Sequence, residues 1–214
     1  MRPPQSPLDN VTMVAGDVQS LLSAIADYCD AGERQEILRL AECGLPPVTS
    51  VNSLSVMTGF NPGFIWSMLN RPDKYYRVFE IPKGRKTREI EAPRVALKYI
   101  QKWLSLSFDR VWRAQSTVHG FVRERSHMSA AQTHVGAIWV ASLDIENFFP
   151  SVSADRVESA LEKLGYQSIE SLLILVRILC YRGRLSQGAP SSPVVSNIVM
   201  DELDRKLQEI ALHY

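Results

Sequence analysis

Apolar residues along this chain change their spacing several times, and each change marks an element. From Asp17 to Cys43, Val18, Leu21, Leu22 and Ile25, then Ile37, Leu38 and Leu40, recur at helical spacing. Asp30-Ala31-Gly32 divides them into two predicted helices, and Gly44-Leu45-Pro46-Pro47 closes the unit. Ser53 to Asn70 predicts two more short helices, broken at Gly59-Phe60-Asn61-Pro62. Between Tyr75 and Pro93 the period drops to that of a strand. Val78, Phe79 and Ile81 lie on one arm and Ile90 on the other, with Lys83-Gly84-Arg85-Lys86 as the turn of a β-hairpin. Helical spacing returns in Val95–Trp112, with Leu97, Ile100, Gln101, Leu104 and Phe108 on successive turns. Ser153–Leu164 and Ser168–Tyr181 are read as helices opened by serine caps, with Tyr181-Arg182-Gly183-Arg184 as a basic turn after them. A last long helix, Ser192–His213, is expected to bury Val195, Ile198, Val199, Leu203, Leu207 and Ile210.

Two stretches stand apart. Ile138 to Ser151 reads I-W-V-A-S-L-D-I-E-N-F-F-P-S, an apolar run bounded by Gly136 and Pro150. It predicts a buried strand with Asp144 at its C-terminal lip, where a carboxylate needs a metal, an arginine or a helix N-terminus as partner. Leu185 to Asn197 reads L-S-Q-G-A-P-S-S-P-V-V-S-N, a turn-rich run that feeds a helix. Gln187 opens that turn, and Ser191 or Ser192 is available as N-cap. At the other end, three prolines in residues 1–12 predict a frayed tail.

At 214 residues and 45% hydrophobic, the chain can form one or two domains with a real core. Its net charge of +1 excludes a global basic field, yet cations crowd between Arg77 and Lys102 and again between Arg110 and Arg125. Cys29, Cys43 and Cys180 are widely spaced and follow no metal-ligand pattern, which points to a reducing, cytoplasmic setting. Met1-Arg2-Pro3-Pro4 does not open a signal peptide. The longest apolar run, Leu172–Cys180, is interrupted by Arg177, so no membrane partner is expected.

Together and in this order, the two stretches resemble two palm motifs of reverse transcriptases, especially the bacterial retron and group II intron type. The resemblance covers most of the chain after about Tyr75. It implies an α+β fold: a tail at 1–12, a helical N-terminal region at 13–74, right-hand polymerase fingers at 75–135 and an incomplete palm at 136–214. The run I-P-K, a glycine turn and R-E-I resembles the family's fingers hairpin, which implies that Lys83 and Arg88 contact the incoming deoxynucleoside triphosphate. Two cations on a hairpin suit phosphate charge. Val118-His119-Gly120-Phe121 through Arg125-Ser126 resembles a second fingers motif. Arg123 and Arg125 then suit contacts to template backbone, and His119 is read as structural or as holding template. Retrons also tend to carry Asn-Ala-x-x-His before the first palm strand. This chain has Ala130-Ala131-Gln132-Thr133-His134, without the asparagine, which leaves the lineage open.

By the same resemblance Asp144 is the first metal carboxylate and the catalytic aspartate, and the Ile145 carbonyl adds a ligand. Polymerases of this type use two Mg²⁺ ions about 3.5–4 Å apart. Phe149 takes the sugar-gate position, where a ring excludes a 2′-hydroxyl. Gln187 lies along the nucleotide and primer terminus, on a turn shaped by Gly188 and Pro190. The implied partners are an RNA template and a DNA or RNA primer, with a retron non-coding RNA or the enzyme's remaining C-terminal half as further candidates. The implied activity is RNA-directed DNA synthesis by the intact enzyme, with a retron role in antiviral defence. The family's Tyr-x-Asp-Asp motif does not occur in residues 1–214, and Asp201 with Asp204 does not fit it. One aspartate cannot hold two ions, so the chain reads as a fragment that does not polymerise alone. Two alternatives remain: a catalytically dead RNA-binding remnant, and a helix-turn-helix DNA binder on Ser53–Asn70, which is otherwise a helical platform.

Overall fold

The protein is described by a computed structural model covering residues 17–84 and 86–213. The expected tail at 1–12 and the turn residue Arg85 lie outside the described residues. Short side chains set the helix starts of the N-terminal unit. Asp17 accepts from the Ser20 N–H (2.7 Å) to open α1 (Val18–Ala24), and Asp30 accepts from the Glu33 N–H (2.7 Å) to open α2 (Ala31–Glu42). Ser50 and Ser53 form a reciprocal capping box, so α3 (Val51–Thr58) begins two residues before the apolar pattern suggested. Asn61 and Pro62 open α4 (Pro62–Asn70).

A single 3₁₀ turn, Pro72–Lys74, leads into β1 (Tyr76–Lys83), which pairs antiparallel with β2 (Lys86–Pro93). The register sets Tyr76 opposite Pro93, Phe79 opposite Ile90 and Lys83 opposite Lys86, and Gly84 enters the turn at φ 61°. Only the base of this hairpin is buried: Tyr76 on β1, Glu91 and Pro93 on β2. α5 (Val95–Val111) then runs through the middle of the molecule and buries Leu97, Ile100, Gln101, Leu104 and Phe108, as its spacing predicts. After it come α6 (His127–Gln132), α7 (Phe148–Ser151), α8 (Ala154–Leu164) and α9 (Ile169–Leu179). A short hairpin, β3 (Cys180–Tyr181) with β4 (Arg184–Leu185), precedes α10 (Ser192–His213). The chain is thus α+β, with a small proportion of strand.

One apolar cluster runs from Leu21, Ile37 and Leu54 through Ile100 and Phe108 to Leu161, Leu175 and Val195. Removing these side chains from water supplies the main drive for the fold. Polar groups stitch the N-terminal helices to the rest. The Tyr166 hydroxyl donates to the Pro46 carbonyl (2.9 Å), and Arg39 donates to the Gly165 carbonyl (2.5 Å). Gln101 is fully buried and donates to the Tyr76 hydroxyl (2.9 Å) and the Ile178 carbonyl (2.7 Å). Tyr76 stacks on Tyr181 with ring centroids 4.1 Å apart. Burial among these groups pushes the Tyr76 phenol up to about 12.

Three expectations are corrected. Ile138–Asp144 is not a buried strand: Trp139 and Leu143 are each 90% exposed, and no strand of the described residues pairs with the segment. A strand is stabilised by its ladder and by a covered face, and apolar sequence alone supplies neither. α9 ends at Leu179 instead of Tyr181, because Cys180 and Tyr181 take up pairing with Leu185 and Arg184. α10 buries Val195 and Ile198 as expected, but Leu203, Leu207 and Ile210 are exposed. At 22 residues it is twice the length of α8, the helix packed against it, and its buried residues end at Ile198.

These differences predict a contrast along the chain. Leu175→Ala, in the core, should lower the unfolding free energy in urea by roughly 2–5 kcal/mol. Leu207→Ala should change it by less than about 0.5 kcal/mol. A large effect at Leu207 would mean that the second half of α10 is covered.

Candidate functional site

Three segments far apart in sequence are joined by main-chain hydrogen bonds beneath the β1–β2 hairpin. The Leu185 N–H donates to the Val152 carbonyl (3.0 Å) and the Ala154 N–H to the Gly183 carbonyl (2.9 Å), so the end of α7 is fixed to β4. The Glu91 N–H then donates to the Gln187 carbonyl (2.9 Å), which fixes the turn after β4 to the base of β2. Gly188 makes that approach possible. Its φ is 135°, and an added Cβ would lie 3.0 Å from the Glu91 carbonyl oxygen and 3.1 Å from Ile90 Cγ2. From the other side, the Ser192 hydroxyl donates to the Ser186 carbonyl (2.7 Å) and ties the turn to the start of α10.

Local conformation brings the remaining side chains in. Asn147 sits in the left-handed region (φ 50°, ψ 49°), a conformation its short amide tolerates, and turns the chain from Asp144–Glu146 into α7. Arg182 (φ 52°) and Gly183 (φ 75°) form a tight turn of the kind that joins twisted strands. The result is a cleft of about 470 Å³ lined by Lys83, Arg88, Asp144, Ile145, Phe149 and Gln187, together with Lys86, Glu89, Glu91 and Arg184. The six residues singled out in the sequence for metal and nucleotide contacts all line this one cleft. Asp144 stands on an exposed turn instead of the expected strand lip, Lys83 is exposed at the hairpin tip, and Gln187 is half-buried. Phe149 is half-buried, with its ring 6.0 Å from that of Phe121 and 5.5 Å from that of Phe148.

Arg123 and Arg125 fall outside this cleft. Arg123 is exposed. Arg125 donates through Nη1 to the Gln115 and Val118 carbonyls, so it shapes its own loop. That loop is pinned to α10 by Gln115, which donates to the Asp201 carbonyl (2.8 Å), and by Asn197, which donates to the Gly120 carbonyl (2.9 Å). His119 shares a hydrogen bond with the Ser129 hydroxyl (2.9 Å).

Sequence reasoning missed the charge cluster under the hairpin. Arg184 Nη2 lies 3.0 Å from Glu91 Oε1 and 3.6 Å from Glu89 Oε1, and Arg182 lies 3.9 Å from both carboxylates. The Glu91 side chain is only 2% exposed, and its Oε2 has no hydrogen-bond partner. Nothing local signals this pairing, because Glu91 and Arg184 each look like one more charge in a polar stretch. Burial raises the Glu91 carboxyl above its ordinary value of 4.5, with Arg184 pulling in the opposite direction. For metal, among the described residues no three His, Cys, Asp or Glu side chains come together in a group that could hold an ion. Asp144 and the Ile145 carbonyl offer two hard oxygens at one end of the cleft, suited to a single Mg²⁺ completed by phosphate and water. They do not fit a pair of ions.

With this geometry in hand, comparison with known proteins places the chain. Residues 81–214 match the family described as Reverse transcriptase (RNA-dependent DNA polymerase). The chain belongs to that family. It is 30% identical to the Retron Ec86 reverse transcriptase of Escherichia coli over 185 residues, covering 85% of this chain and 57% of that protein. It is also 30% identical to the Retron Mx162 reverse transcriptase of Myxococcus xanthus, over 87% of this chain and 43% of that protein. A second Myxococcus xanthus protein, the Retron Mx65 reverse transcriptase, is 31% identical over 82% of this chain and 46% of its own length. The chain therefore spans about half the length of these relatives. All three of these relatives are named as retron enzymes.

The raised Glu91 carboxyl sets a direction for stability against pH. The folded state holds the Glu91 proton more tightly than the unfolded chain, so this group's contribution is fully present below about pH 4.5. That contribution is lost as pH rises through the folded-state value above it. Glu91→Gln should flatten this part of the stability profile, measured as urea midpoints from pH 4 to 8. An unchanged profile would show that Glu91 ionises as freely as an exposed carboxylate.

Proposed function

We propose that this chain supplies the fingers and the first part of the palm of a retron-type reverse transcriptase, and that its cleft receives an incoming deoxynucleoside triphosphate. The supporting observation is the convergence of Lys83, Arg88, Asp144, Ile145, Phe149 and Gln187, from three separate segments, on one cleft of about 470 Å³. In this reading residues 75–135 form the fingers, residues 136–214 the incomplete palm and residues 13–74 the helical lead-in. Lys83 and Arg88 neutralise phosphate oxygens from the hairpin side, since charge-assisted hydrogen bonds are the strongest a surface cleft can offer. Phe149 closes the space a 2′-hydroxyl would occupy, and Gln187 forms the floor beneath sugar and base. Asp144 with the Ile145 carbonyl would hold a Mg²⁺ beside the phosphates. Such an ion supplies charge neutralisation at the phosphates.

RNA template and a DNA or RNA primer are the proposed macromolecular partners, and the retron-type relatives support a retron non-coding RNA as the natural template. An antiviral role follows only from that association. A cytoplasmic setting fits the three unpaired cysteines, and no helix among the described residues is long and apolar enough to cross a membrane. Exposed Trp139, Leu143, Leu207 and Ile210 support a second polypeptide, the enzyme's remaining half, as a further partner.

Titration of the chain with a fluorescent dATP analogue tests the cleft. Lys83→Ala or Arg88→Ala should weaken binding about tenfold or more, the size of a lost charged hydrogen bond. Phe149→Ala should bring the affinity for ATP up towards that for dATP. Binding that ignores all three changes would place the nucleotide elsewhere.

A second prediction follows from the donor set. The 214-residue chain should extend no primer on an RNA template with Mg²⁺, because among the described residues no three His, Cys, Asp or Glu side chains come together to hold the ions of a two-ion mechanism. Robust deoxynucleotide incorporation would refute this.

The third concerns RNA. Arg123→Ala should reduce the slope of log affinity against log salt by roughly 0.7–0.9, one phosphate contact. Arg125→Ala should act mainly by loosening the loop it braces. An unchanged slope in the Arg123 variant would mean that this arginine is merely solvated.

A further inference from the structure

The hairpin that carries Lys83 and Arg88 is exposed along most of its length and held at its base, and the hold coincides with Gln187. Glu91 takes part in three of the links at that point. Its N–H donates to the Gln187 carbonyl, its carbonyl faces Gly188, and its carboxylate receives Arg184 at 3.0 Å. It is 1% exposed, while its cross-strand partner Val78 is 38% exposed. A carboxylate this deep is tolerated only where a cation compensates it, and Arg184 stands on β4, three residues before Gln187. The ion pair therefore ties β4, which leads into the turn, to the base of the hairpin in addition to the main-chain bond.

We infer that Glu91 and Arg184 are positioning residues of the nucleotide cleft: their buried pair latches the Gln187–Gly188 turn to the base of β2 and so sets the height of Gln187 beneath Lys83 and Arg88. This rests on the reading of the cleft as a deoxynucleotide site, but the latch is a property of the fold that can be measured without nucleotide. If Glu91 acts through Gln187, removing Glu91's charge must cost nothing further once the Gln187 side chain is gone. A residue that only stabilises the fold has no reason to behave so.

The test uses the whole chain and four forms of it: unaltered, Glu91→Gln, Gln187→Ala and the double variant, each titrated with the fluorescent dATP analogue. Glu91→Gln is expected to weaken binding about fivefold in the unaltered background and to have no effect in the Gln187→Ala background, a coupling typical of residues acting as a unit. Arg184→Gln should weaken binding to the same extent, with no further loss when combined with Glu91→Gln. Equal losses from Glu91→Gln in both backgrounds, or no loss in either, would overturn the inference. Amide hydrogen exchange reads the latch directly. Glu91→Gln should speed exchange at Glu91 and in residues 186–189 more than at Ile100–Leu104 of α5. Uniform acceleration, or none, would overturn the latch even if nucleotide binds. Localised acceleration in a chain that binds no dATP would support the latch and reject the nucleotide reading instead.

Discussion

The hydrogen bond between the Glu91 N–H and the Gln187 carbonyl is the contact on which the candidate site depends. It joins two segments almost a hundred positions apart, where Gly188, at φ 135°, leaves room for the Glu91 carbonyl that a Cβ would crowd at 3.0 Å. Around it the fold leaves little slack. Main-chain bonds at Val152 and Gly183 tie α7 to β4, so Phe149 and the Asp144 turn are referred to the same point as Gln187. A buried ion pair is a poor way to gain stability, because desolvating both ions offsets most of their attraction. It is a good way to fix one relative placement, since any other leaves a buried charge uncompensated.

The N-terminal helices contribute to the site at one remove. Tyr166 and Arg39 each carry a hydrogen bond across the boundary between that unit and the later helices, and Gln101 of α5 joins the root of the hairpin to α9. Tyr76, at the root of the hairpin, is stacked on Tyr181, whose hydroxyl donates to Asp73 (2.7 Å). The hairpin is thus a lever with a rigid root and an exposed end. Leu54, Met57, Ile65 and Met68 of α3 and α4 point into the shared core, which favours the platform reading of that segment over a DNA-binding one.

Charge in the cleft is balanced. Lys83, Lys86, Arg88 and Arg184 face Glu89, Glu91, Asp144 and Glu146 across a small volume. With a net charge of +1 on the whole chain, no long-range field draws an anion in, so recognition depends on where each charge sits. Arg184 is already committed to Glu91, which leaves Lys83, Lys86 and Arg88 as the cations of the cleft that face it from the hairpin. Position therefore decides function here, and position is what the junction beneath the hairpin controls.

The amino-acid sequence by itself determined the elements whose signals are local. The helices, the hairpin that turns at Gly84, the buried face of α5 and the resemblance carried by Asp144–Phe149 and Leu185–Asn197 were legible, because each depends on neighbours within a few positions, whereas the Ser153 hydroxyl, read as a cap, makes no capping bond. The sequence also named six of the residues that line the cleft. Tertiary structure alone decided the rest. Whether Ile138–Asp144 becomes a strand depends on a ladder partner that no local pattern can supply. Whether Leu203, Leu207 and Ile210 are buried depends on how far α8 and α5 extend beside them. That Glu91 is a buried anchor and Arg125 a brace follows from carbonyls and cations brought together across the chain. An isolated charge in a sequence carries no mark of whether water or protein will surround it.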